Sequence, residues 1–138
     1  AMLSKEEQKY ADIFLKDVQR GDVKIESGKT LRDYITEYQA KSNNTQIHRL
    51  ANLLGLNEDD LRTLIESRPT EANINEYGRF DKVKESFDKK KAKTFLEEML
   101  GTTLAPFEVK MELDKFLRKI VIEYDNGILN TILSKEGE

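Results

Sequence analysis

Cysteine is absent from the chain, and histidine occurs once, as His48. The first absence excludes disulfides and thiolate metal sites and removes any pointer to an oxidising compartment. The second excludes a His-rich metal or acid–base site. No apolar run approaches the roughly 18 residues that a membrane-spanning helix needs. The first residues, Ala1-Met2-Leu3-Ser4-Lys5, hold no signal-peptide apolar block, and Ala1-Met2 reads as a cloning scar. A cytoplasmic location with no membrane partner is the expectation. Proline (2) and glycine (7) are scarce among 138 residues, which fits helices joined by short turns. Neither sign of charge dominates: charged residues make up 36% of the chain, yet the formal net charge is only −3. A free-standing DNA binder is usually basic overall, because phosphate contacts supply most of its affinity. Any nucleic-acid contact here must come from a local patch.

Catalytic signatures are missing as well. No Gly-rich phosphate loop ends in Gly-Lys-Ser/Thr, and no Gly-x-Ser-x-Gly is found. Adjacent carboxylates such as Glu97-Glu98 diverge around a helix and are not paired for acid–base work. The sequence nominates no catalytic, cofactor-binding or metal-binding residue. A small hydrolase built from distant carboxylates is the least favoured class.

What is present is a succession of amphipathic helical stripes. A chain of this length buries roughly 68–70% of its unfolded surface and needs no covalent staple. The expectation is one all-α domain over residues 1–138, compact and multi-helical, with short helices, one longer C-terminal amphipathic helix and a frayed tail at 134–138. Ser4 and Glu7 form a capping box for the first helix, whose stripe holds Tyr10, Ala11, Phe14, Leu15 and Val18 and which ends at Gly21. A polar loop from Asp22 to Lys29 leads to Thr30, which caps a helix with Asp33 in its first turn. Leu31, Tyr34, Ile35 and Tyr38 form its inner face, and Asn43-Asn44-Thr45 is read as a break.

A third helix turns Ile47, Leu50, Ala51 and Leu54 inward and stops at Gly55. A fourth, capped by Asn57, buries Leu61, Leu64 and Ile65 before Pro69 ends it. Thr70 to Tyr77 reads as a short helix stopping at Gly78. Phe80, Val83 and Phe87 recur at helical spacing, as do Ala92, Phe95, Leu96, Met99 and Leu100 before Gly101. Pro106 suits a first helical position. Val109, Leu113, Phe116, Leu117, Ile120 and Tyr124 then trace the clearest stripe, and Asn126-Gly127 marks a turn before a last short helix.

Three features invite functional readings. Ala51, Gly55 and Leu61 have helix-turn-helix spacing, but the second helix opens with Glu58-Asp59-Asp60, which would repel phosphates where a recognition helix meets DNA. Plain helix-pair packing, with carboxylates at the positive end of a helix dipole, explains the pattern better. His48, without a second histidine, is read as a polar helix-face residue. Finally, the segment from Arg79 to Lys93 is basic inside an acidic protein and is densest at Lys89-Lys90-Lys91-Ala92-Lys93. Four lysines within five residues cannot share one helix face, which favours a solvated face. The functional alternative is a phosphate-contacting patch of Arg79, Lys89, Lys90 and Lys93.

Several stretches carry a resemblance: Thr30-Leu31-Arg32-Asp33-Tyr34-Ile35-Thr36-Glu37-Tyr38-Gln39, Ile47-His48-Arg49-Leu50-Ala51, Thr70-Glu71-Ala72-Asn73-Ile74-Asn75-Glu76-Tyr77-Gly78-Arg79-Phe80-Asp81 and Lys91-Ala92-Lys93. Together they resemble the C-terminal domain of the motor (restriction) subunit of type I restriction-modification enzymes of the IC type. The resemblance implies a helical module that docks onto the methyltransferase core, beside the specificity subunit and the remaining domains of its own subunit, and that handles DNA weakly. It implies ATP and Mg for the parent subunit only, through nuclease and helicase-like domains whose motifs are not in these residues. Polar side chains around the expected helix break, Glu71, Asn73, Arg79 and Asp81, are the partner-binding candidates, since element ends are where binding groups concentrate. A stand-alone helix-turn-helix regulator is the alternative.

Overall fold

A computed structural model describes residues 2–136; the side chains of Asn126, Lys135 and Glu136 fall outside that description, as do Ala1 of the expected scar and Gly137 and Glu138 of the expected tail. Among the described residues every regular element is helical. The α-helices are α1 (Lys5–Gln19), α2 (Leu31–Leu54), α3 (Glu58–Glu66), α4 (Arg79–Glu85), α5 (Lys89–Leu100), α6 (Pro106–Ile122) and α7 (Ile128–Glu136). Short 3-10 turns lie at Glu76–Gly78 and Tyr124–Asn126. The contacts divide the chain into two compact units, Ala1–Thr45 and Gln46–Glu138.

In the first unit, α1 begins as its capping box requires: the Glu7 amide donates to Ser4 Oγ at 3.1 Å and the Ser4 amide to Glu7 Oε1 at 2.9 Å. Thr30 and Asp33 repeat the device on α2, with the Asp33 amide 3.2 Å from Thr30 Oγ1 and the Thr30 amide 2.9 Å from Asp33 Oδ2. Tyr10, Ala11, Phe14, Tyr34 and Ile35 are buried between these helices. Phe14 stacks on Tyr34 at 4.3 Å and meets the edge of Tyr38 at 5.7 Å. The Tyr38 hydroxyl donates to Asp17 Oδ2 at 2.7 Å, and that carboxylate, with some help from burial, pushes the phenol up to about 12. Leu31, expected inside, is exposed.

The second unit holds the larger core. Ile47, Leu50, Ala51 and Leu54 of α2 join Leu61, Leu64 and Ile65 of α3, Phe80 and Val83 of α4, Phe95 and Leu96 of α5, and Leu113, Leu117 and Ile120 of α6. Leu129 and Leu133 of α7 complete it. α5 packs along α6, where Phe95 and Phe116 meet edge to face at 5.3 Å. Pro106 occupies the first position of α6, as its fixed φ favours.

Three expectations are corrected. Asn43-Asn44-Thr45 does not break α2, which runs through it and is, at 24 residues, longer than α6 with 17. Asn and Thr each weaken a helix by well under ~1 kcal/mol, and the Thr45 hydroxyl finds an acceptor within the helix, the Lys41 carbonyl at 3.0 Å. Continuing a helix avoids the cost of nucleating another. Second, Thr70 to Tyr77 is not a helix but a series of turns ending in the 3-10 turn. Its Asn73 and Asn75 side chains bond nearby backbone amides, which competes with helix formation. Third, Met99 and Leu100 end α5 exposed rather than buried.

Candidate functional site

The turns between α3 and α4 form a knuckle whose polar side chains mostly hold its own shape. Asn73 Oδ1 accepts from the Thr70 amide at 2.7 Å. Asn75 grips Asp81 twice: its Oδ1 accepts from the Asp81 amide at 2.9 Å, and its Nδ2 donates to Asp81 Oδ2 at 3.0 Å. Ile74 plugs the knuckle into the core. The backbone then turns through two consecutive left-handed residues, Tyr77 (φ 59°) and Gly78 (φ 69°). Glycine takes this conformation freely, whereas another residue is strained by about 1–2 kcal/mol.

Tyr77 is 84% exposed. The Arg79 guanidinium lies over its ring at 5.4 Å, so an aromatic face and a cation are presented together. Arg68, also left-handed, differs in having an ion pair, with Asp125. Strain retained at an exposed aromatic side chain gives that side chain no core to fill.

Behind the knuckle lies a charged clamp between α4 and α6. Asp114 receives Lys84 Nζ at 2.9 Å and Arg118 Nε at 2.8 Å. Burial pushes its carboxyl upward, but the two cations outweigh that and hold it below the usual carboxylate range. Asp114 correspondingly raises Lys84 and Arg118. The Arg118 guanidinium also covers Phe80 at 4.7 Å and reaches Glu71 at 3.8 Å.

The expected partner residues therefore separate. Asn73 and Asp81 shape the loop, Glu71 ends the clamp, and Arg79 points out with Tyr77. Tyr77 was missing from the sequence candidates. Its signal was an aromatic residue beside glycine, in a polar stretch, outside every apolar stripe.

The basic run behaves differently. Asp88 caps α5, accepting from the Lys91 amide at 2.9 Å, but the first turn contains lysines and no acidic residue. That places positive charge at the positive end of the helix dipole. Lys89 and Lys93 border a cleft over Phe87, Phe107 and Val109, whereas Lys90 and Lys91 border a second hollow beside Leu53 and Phe95. Arg79 lines a third, next to Pro69 and Asn73. The structure thus brings Lys89 and Lys93 together, but gathers neither Lys90 nor Arg79 into the same hollow. Lys93 pairs with Glu97 at 3.2 Å, while Lys89 and Lys90 have no ion pair among the described residues. Glu97 itself accepts from the Leu104 amide at 2.8 Å, so it ties down the loop into α6. Phe107, 71% exposed on the cleft, is the second residue the sequence reading missed.

The helix-turn-helix spacing resolves into packing. Ala51 and Leu61 are buried, and Gly55 is left-handed, with Asp88 so close that an added Cβ would lie 2.3 Å from the Asp88 Cβ. The three carboxylates that open α3 are matched internally: Glu58 by His48 and Arg62, Asp59 by Arg62 at 3.3 Å, and Asp60 by Lys82 at 3.5 Å. No group of three or more His, Cys, Asp or Glu residues is placed to hold a metal ion among the described residues, and no described helix is long and apolar enough to cross a membrane.

Fold and surface define a helical module with exposed aromatic and cationic side chains on a charged scaffold. A family model described as "Type I restriction and modification enzyme - subunit R C terminal" matches residues 1–120, and the chain belongs to that family. No curated protein and no solved structure matches it.

Proposed function

We propose that this C-terminal module of a restriction subunit mediates assembly with the methyltransferase core, with the knuckle as its docking point. The observation that carries the reading is Tyr77, an exposed aromatic held in strained backbone under a guanidinium. Exposed aromatic and arginine side chains are the commonest anchors of protein interfaces. The specificity subunit and the rest of the parent subunit are the neighbouring partners in this reading, and the cytoplasm its location. Capture of the methyltransferase core by the immobilised chain tests it. Tyr77→Gly relieves the backbone strain, so melting should stay level or rise, while capture weakens at least tenfold. Capture undiminished in that variant would remove the knuckle from the interface; no capture by the wild-type chain would end the assembly reading.

A second, weaker contact is with DNA, through Arg79, Lys89, Lys90 and Lys93. The absence of ion pairs at Lys89 and Lys90 favours it, because those charges remain available to phosphate. Such binding is independent of sequence and falls steeply with salt as counterions are released. The isolated chain should bind no tighter than about 10⁻⁴ M at physiological salt. Glutamate at these positions in the full subunit should lower affinity and flatten the salt dependence; an unchanged slope in a folded, assembled variant assigns the run to solvation. ATP and Mg chemistry belongs to other parts of the subunit, so the purified chain should neither hydrolyse ATP nor cut DNA. Turnover abolished by a point substitution within the chain would overturn that.

A further inference from the structure

The cleft between α5 and α6 combines an apolar floor with a cationic rim. Its volume is about 310 Å³, and its floor is apolar: Phe87, Pro106, Phe107 and Val109. Phe107 and Met111, four residues apart on α6, are 71% and 47% exposed, so the apolar surface continues along the helix. An apolar cavity of about 150 Å³ already accepts a benzene-sized group. The rim is cationic, formed by Lys89, Lys93 and Lys110; Lys93 also meets Glu97 at 3.2 Å, whereas Lys89 and Lys110 have no ion pair among the described residues. The lysine stems extend the apolar wall while their ammonium groups stand at the edge.

We propose that this cleft binds an acidic segment of a partner protein, with one bulky apolar side chain seated on Phe87, Phe107 and Val109 and flanking carboxylates met by Lys89, Lys93 and Lys110. The partner rests on the assembly reading; the chemistry rests on the cleft alone. Charge complementarity selects an acidic segment over a basic or neutral one. The apolar floor selects a peptide over duplex DNA, because phosphates make no use of it and paired bases cannot enter it. The overall charge of −3 points the same way. A long polyanion feels the whole domain's field, whereas a short acidic segment feels chiefly the local rim. Lys89 and Lys93 cannot hold a carboxylate and a phosphate at once, so the seated segment should compete with DNA at this edge.

The test is a titration of the whole chain with a labelled peptide in which one phenylalanine stands between two pairs of glutamates, followed by fluorescence anisotropy. Replacing the peptide's phenylalanine by alanine should weaken binding about tenfold or more, as loss of one buried side chain does. Phe107→Ser in the chain should cause a similar loss with an unchanged helical spectrum, since that side chain is exposed. Lys89→Glu with Lys110→Glu should weaken the acidic peptide and strengthen a lysine-flanked one. Peptide binding no tighter than that of its alanine version overturns the proposal. So does DNA binding that falls as much as peptide binding in Phe107→Ser, which would make the cleft a nucleic-acid site. Self-association of the chain lost in the same variant would replace the partner with a second copy. Capture of the methyltransferase core at full strength by Phe107→Ser removes the cleft and leaves assembly standing; failure of the wild-type chain to capture it removes assembly, while the peptide titration still decides the cleft.

Discussion

Asp114 receives two cations at once while less than a third exposed, so removing its charge leaves Lys84 and Arg118 without their shared partner. Such a partly buried network is worth more than an exposed pair, and Asp114→Asn should cost about 1–2 kcal/mol at neutral pH. The folded carboxyl titrates below its unfolded value of about 3.9, so its contribution is complete above that value and is lost as pH falls through the lower folded one. Lys84 runs the other way: raised in the fold, it contributes below its unfolded value of about 10.4 and loses that contribution as pH rises through the higher folded one. Thermal melts of wild type and Asp114→Asn should therefore differ most across neutral pH and converge under strong acid. A gap that persisted into strong acid would mean that Asp114 acts through packing rather than charge.

At the scale of elements, the turn from α2 to α3 is set by one backbone position. Gly55 is left-handed, and its neighbour Leu54 accepts from the Asp88 amide at 2.9 Å, bringing the start of α5 against it. Gly55→Ala adds both the left-handed penalty and a clash with Asp88, and should destabilise by about 2–4 kcal/mol, measurable by urea titration. A loss below about 1 kcal/mol would show that Asp88 moves aside at little cost. The sequence disclosed this turn because its signals are local: a glycine, a capping Asn57 and an apolar stripe on either side. It disclosed the starts of α1, α2 and α6 for the same reason. It did not disclose the continuity of α2 through Asn43-Asn44-Thr45, where two weak propensities were overridden by buried residues on each side, Tyr34 and Ile35 before and Ile47 and Leu50 after. Nor did it disclose the knuckle. Asn75 bonding Asp81 across six residues is a match that no helical or strand period encodes, and Tyr77 and Phe107 became visible only once the interior had been filled by others.

For the molecule as a whole, the two units carry unequal cores. The cluster within Ala1–Thr45 is small, and the one within Gln46–Glu138 is several times more extensive. Buried area grows with size, so the smaller unit has less to hold it. Hydrogen exchange should release the amides of α1 before those of α3, α5 and α6, and equal protection throughout would show that the two units open together. The exposed tyrosine of the knuckle has a practical consequence. The chain has five tyrosines and no tryptophan. Tyr10 and Tyr34 are buried, Tyr124 is half-buried against the core, and Tyr38 is held as its neutral phenol by Asp17. Tyr77 stands open to solvent, so a reagent that nitrates phenols should mark it first, and the protein carries its own footprinting label at the place where docking is proposed to occlude it.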